Sequence, residues 1–150
     1  MLFRSAGALQ ISNWFLMPMP VLPGKTPITT NPGNVGISTT QGSNTILVRG
    51  NQGRILRQAG FSVGHFFSIN FSSFNDSRIY MAVSVAGSTS MTITFVPELP
   101  WNNTAGTCTF FNPMMRAYLN QDAAPQVSWG SGLIATPILR VTEAIGPLTR

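Results

Sequence analysis

The sequence predicts an all-β chain, an antiparallel β-sandwich or jelly-roll-like barrel of about eight strands. Three observations carry that expectation. Phe61, Val63, His65, Phe67, Ile69 and Phe71 fall on alternate positions with mostly small or polar residues between them. A period of two sends alternate side chains to opposite faces, as in a strand. Turn signals recur at intervals of about ten residues, and no segment shows convincing helical spacing.

The most strongly patterned region runs from Phe61 to Phe95 and predicts a three-stranded meander. The first strand begins at Phe61. Residues 73–77 carry Asn75, Asp76 and Ser77, whose short side chains hydrogen-bond their own backbone and make turns. Alternation resumes at Ile79, Met81, Val83 and Val85, breaks at Gly87, and resumes at Met91, Ile93 and Phe95. The predicted inner face is Phe61, Val63, Phe67, Ile69, Met81, Val83, Ile93 and Phe95.

Towards the N-terminus, a short arm leads into a strand near Trp14. Residues 17–24, with Pro18, Pro20 and Pro23, cannot be regular structure, because proline fixes φ and removes a donor. They read as an extended strap, laid over another surface or over the chain's own core. Residues 24–45 form a long loop with a short strand at 35–38, and 45–49 is a further strand. A turn at 50–53 then leads to Ile55 and Leu56, with Arg49, Arg54 and Arg57 around it. After the meander, Pro97 and Pro100 end the third strand, 101–106 is a loop and 107–111 a strand. Residues 113–119 fit either a helical turn or an edge strand. Strands at 126–129 and 133–141 precede a tail from Glu143. The domain expectation is an arm over 1–24 and a single β-domain over 25–150.

A chain of 150 residues, 43% of them hydrophobic, can bury a core without staples. Only 9% are charged, against about 25% in ordinary soluble domains. A surface so poor in charge suits a subunit covered by neighbours, or a secreted β-domain. The net charge of +5 comes from arginine, Lys25 being the sole lysine, with only Asp76, Glu98, Asp122 and Glu143 as acids. Arginine's planar fork suits carboxylates, phosphates and interfaces. Arg49, Arg54 and Arg57 are therefore the candidate contacts for an anion or nucleic acid, although nine dispersed basic residues make a weak electrostatic footprint.

Chemistry-bearing residues are scarce. Cys108 has no partner for a disulfide and reads as a buried structural thiol. His65 alone cannot hold zinc, and the four acids sit in turns or tails. No nucleophile elbow, phosphate loop or metal spacing occurs, so no enzyme activity, cofactor or metal is expected. Residues 1–17 lack a signal-peptide pattern, and no stretch approaches a membrane span. Trp101 and Trp129 are candidates for stacking on a sugar, although tryptophans in β-domains more often serve as core or interface anchors.

The profile resembles a small viral coat or spike subunit. Residues Gly132 to Thr136, then Val141-Thr142-Glu143 and Pro147-Leu148-Thr149-Arg150, resemble the C-terminus of the minor spike proteins of small single-stranded DNA phages, the microviruses. The resemblance covers about twenty residues. It implies a bacteriophage virion protein, a β-barrel assembling as a pentamer at the capsid vertices. The expected function is thus a capsid, spike or decoration subunit located in the virion. Its expected partners are copies of itself and other virion proteins. The interface candidates are Phe3, Trp14, Phe15, Met17 and Met19 in the arm and Leu148 and Arg150 in the tail. The alternatives are a carbohydrate- or receptor-binding domain of a viral fibre, and a coat subunit that contacts nucleic acid.

Overall fold

Alternation of apolar and polar side chains builds most of the strands in the computed structural model, which describes residues 14–71, 76–119 and 141–143. Nine strands and one helix are described: β1 (Trp14–Pro18), β2 (Val35–Thr39), β3 (Thr45–Val48), α1 (Gly50–Gln58), β4 (Phe66–Phe71), β5 (Asp76–Ala86), β6 (Met91–Val96), β7 (Asn103–Thr109), β8 (Met114–Leu119) and β9 (Val141–Glu143). Val35 and Ile37 of β2, Ile46 and Val48 of β3, and Met91, Ile93 and Phe95 of β6 all point inward at period two. The all-β antiparallel architecture expected from the sequence is what forms.

Six strands make one antiparallel sheet in the order β2-β7-β4-β5-β6-β3. Its first and last strands, β2 and β3, follow each other in sequence through the 40–44 loop, so the sheet curls until its two edges are neighbours. Gly42 N–H donates to Leu99 O at 2.8 Å and Leu99 N–H to Ser43 O at 2.9 Å, which pins that loop. The result is a nearly closed, barrel-like sheet with a seam between β2 and β3.

Its core is aromatic. Phe67 is fully buried and touches four rings, with centroids at 5.2 Å (Phe110), 5.6 Å (Phe95), 6.0 Å (Tyr80) and 6.2 Å (Phe61). Phe71, Leu56, Ile69 and Ile93 complete the interior. Cys108 lies among them, and burial pushes its thiol well above the ordinary range.

Contacts gather Pro18–Met115 into one compact unit, while residues 14–17, 116–119 and Val141–Glu143 belong to a second. Residues 18–24, placed in the arm by the sequence, therefore pack with the larger unit. The order β1-β8-β9 forms a separate three-stranded sheet, with Ala117 opposite Glu143 and Leu119 opposite Val141. Residues 113–119, undecided between helix and strand, are β8 from Met114 onward. The strand expected at 126–129, and 133–140 of the one expected over 133–141, lie outside the described residues.

Three expectations are corrected. The first strand of the meander begins at Phe66 rather than Phe61. Gly64 has φ +87°, a conformation open to glycine and closed to a regular strand, and His65 N–H closes a turn onto Ser62 O. Val63 is consequently 48% exposed rather than inward.

In β5 the inward residues are Tyr80 and Ala82, not Met81 and Val83. Ala82 pairs with Phe95 and Ser84 with Thr94, so two steps on β5 face one on β6 and Val83 is the extra residue. A bulge of this kind reverses the parity of everything beyond it, and Val85 accordingly packs against the core again.

The third correction is α1, expected as a turn followed by apolar residues. Gly53 and Leu56, three apart and both buried, form its inner face. A Cβ on Gly53 would stand 2.7 Å from Val48 O and 2.8 Å from Thr89 O. Glycine is what lets the helix lie directly on these backbones.

Candidate functional site

Within the larger unit, the proline-rich strap sets up the main concavity. Met19 N–H donates to Pro113 O at 3.0 Å, and Lys25 N–H to Leu22 O at 3.0 Å closes a turn around Gly24. Ile28 then enters the core, so this segment covers its own interior. His65 acts as the buckle. It is 7% exposed, with Nε2 2.9 Å from Thr26 O and Nδ1 3.2 Å from both Ser62 N and Ser62 Oγ. A carbonyl only accepts, so Nε2–H donates to Thr26 O, while Nδ1 lies within hydrogen-bonding distance of Ser62 N, Oγ and O. Nε2 thereby ties the strap to the 62–65 turn, and Nδ1 bonds within that turn.

Between strap and barrel lies a half-open groove of about 510 Å³, lined mainly by apolar side chains, among them Met19, Leu22, Phe66, Phe110 and Phe111, with His65 at its wall. Lys25 flanks it. Its Nζ donates to Ser62 Oγ at 3.3 Å, and its Cε lies 3.3 Å from where a Cβ on Gly64, a lining residue, would stand.

The outer face of the barrel carries the second feature. Phe66, Met81 and Val96 are directly opposite one another across β4, β5 and β6, so their side chains share one face. Val96 is 44% exposed, and the bulged Val83 nearby is 39% exposed. The row continues into the groove through Phe66, where Val21, Leu22 and Phe111 are also exposed. An apolar surface continuous over three strands and a groove differs from scattered exposed aliphatics and marks an interaction site.

The arginines occupy two places. Arg54 and Arg57 share the exposed face of α1, Arg54 donating to Asn51 Oδ1 at 2.7 Å and Arg57 to the Gly87 carbonyl. Arg49 immediately precedes the helix and lines a different cavity, about 520 Å³, along the seam between β2 and β3. Gln52 bridges that seam by donating to Asn34 O at 2.6 Å. The structure therefore joins Arg54 to Arg57 and directs Arg49 to the seam.

Trp101 is half-buried, with Arg78 stacked 4.2 Å from its centroid and the Phe71 ring edge-on at 5.7 Å. A sugar stacking on that indole face would displace Arg78.

Among the interface candidates, Met17 and Met19 are half-buried and Met19 lines the groove. Trp14 and Phe15 lie on β1. Phe3, Trp129, Leu148 and Arg150 lie outside the described residues.

The sequence had pointed to neither Phe66, Val96 and Phe111 nor Lys25 as site residues. Two consecutive phenylalanines at 66–67 were the available signal, since adjacent positions in a strand cannot both face inward. Among the described residues no three His, Cys, Asp or Glu side chains cluster to hold a metal, and no helix is long and apolar enough to cross a membrane. No family model, curated protein or solved structure matches this chain.

Proposed function

We propose that this chain is a non-enzymatic structural subunit that works by assembly, a virion coat or spike component associating with copies of itself. The observation that carries the reading is the outward row Phe66–Met81–Val96 across β4, β5 and β6, on a chain with 9% charged residues. Uncharged outer faces suit a surface that a neighbour covers, and closed rings are the usual outcome for identical subunits. The virion setting is supported by the coat-like composition and by the C-terminal resemblance, of which only 141–143 are described, as β9.

The test is the solution mass of the chain by light scattering, beside that of a Val96→Lys, Met81→Lys double variant. Both side chains are on the outer face, so the fold survives while the interface would have to bury two unpaired ammonium groups. The wild type should be a closed oligomer and the variant a monomer. A wild-type chain that stays monomeric at all concentrations would refute assembly. Deleting residues 1–24 is a poorer test, because it also removes the groove's own wall.

A further inference from the structure

We infer that the strap groove is a binding site for a free, singly anionic aliphatic amphiphile, with the chain in the groove and the head group on Lys25. The inference goes beyond the assembly reading and does not depend on it. The cavity of about 510 Å³ falls within the range of ordinary small-molecule sites, about 300–1,000 Å³.

The lining decides what the body of the ligand must be. His65, the one titratable side chain in the wall, already spends Nε2 on Thr26 and Nδ1 on Ser62. Apart from Thr29 and Asn112, both at exposed positions, the rest of the wall offers aliphatic, thioether, proline and phenyl surface. A ligand with polar groups along its length would lose its water and find side-chain partners only at Thr29 and Asn112. An apolar chain loses nothing.

Lys25 decides the head. Its ammonium has three donors, of which Ser62 Oγ takes one at 3.3 Å, and no carboxylate pairs with it among the described residues. It sits at one edge of the groove beside Gly64 and Leu22. A terminal carboxylate or sulfate placed there gains a charge-assisted hydrogen bond without entering the apolar interior. An apolar chain that ends in one anion is the chemistry that satisfies both parts.

The experiment uses the full chain and dodecanoate below its micelle concentration, with dodecanol as the neutral analogue, read by calorimetry and by methyl-labelled ligand NMR. Saturable binding at one dodecanoate per chain is expected. Lys25→Gln should weaken dodecanoate about tenfold, the worth of one charge-assisted bond, and leave dodecanol unchanged. Phe111→Asp, at an exposed lining position, should abolish both, whereas Val96→Lys outside the groove should alter neither. Absence of saturable binding overturns the proposal, as does equal binding by wild type and Phe111→Asp. Sedimentation with phosphatidylglycerol vesicles without capture of monomeric dodecanoate also overturns it, by pointing to a membrane surface instead.

Discussion

Replacing Phe67 by alanine tests whether the aromatic cluster really forms the core and whether β4 has the parity described. Phe67 is fully buried and meets four rings at 5.2–6.2 Å. Truncating such a ring removes its transfer free energy and leaves a cavity that packed neighbours fill only in part, about 3–5 kcal/mol for Phe→Ala. Aromatic pairs add about 0.5–1.5 kcal/mol beyond area burial, so a loss of about 4 kcal/mol is expected. That is a large share of the roughly 5–15 kcal/mol that holds a domain together. The control is Val63→Ala, on the same alternation in the sequence but 48% exposed in the turn before β4, where about 0.5 kcal/mol or less is expected. Urea unfolding at one fixed protein concentration measures both, the midpoint moving while the slope stays constant. Equal losses at the two positions would refute the start of β4 at Phe66. A loss below about 1.5 kcal/mol for Phe67→Ala would refute the core itself.

Three further outcomes are expected. Gly53→Ala gains up to about 1 kcal/mol of helix propensity, but its Cβ would press on Val48 O at 2.7 Å and Thr89 O at 2.8 Å. Overpacking of about 1–3 kcal/mol wins, so the variant should melt earlier than wild type, and a higher melting temperature would show that α1 does not lie on those backbones. His65→Phe keeps the ring but removes the bonds to Thr26 O and Ser62 N–H; a cost of about 1 kcal/mol and faster hydrogen exchange at the Lys25 amide should follow, and unchanged exchange would mean the strap is held otherwise. Cys108 stays neutral in the fold because burial raises its pKa, whereas the unfolded thiol ionises above about pH 8.5. The unfolded state then binds fewer protons, so the stability from this group is complete at neutral pH and falls with rising pH, by at most about 1.4 kcal/mol per unit. Cys108→Ala should flatten that slope in melts between neutral pH and pH 10, and an unflattened slope would place the thiol in solvent.

The meander shows how far the pattern of residues reaches. β6 reads directly from the sequence because Met91, Ile93 and Phe95 alternate without interruption. β5 alternates just as plainly, yet its outward and inward sets exchange at the Val83 bulge. Periodicity reports which residues share a face but carries no mark saying which face looks inward. Tyr80 and Ala82 won the interior because a phenol ring and a small methyl complement Phe67 and Phe95 across the sheet, a contact between distant positions.

The helix α1 was hidden for a related reason. Gly50 and Gly53 are poor helix formers, Arg49 supplies no side-chain cap, and no acid stands in the first turn. Local signals therefore favoured a turn, and what holds the helix is Leu56 in the core and the close seat under Gly53. Tertiary burial overrode propensity.

By itself, then, the sequence determined the class of fold, most strand positions and the scarcity of catalytic groups. Each of these follows from local chemistry: side-chain alternation, turn residues, and the inventory of titratable residues. Only the tertiary structure decided that His65 buckles the strap, that Lys25 flanks an apolar groove, and that Phe66, Met81 and Val96 form one row. Those residues come together through sheet register and chain crossing, and register is set by the bulge and by core packing rather than by the neighbours of any residue in the chain.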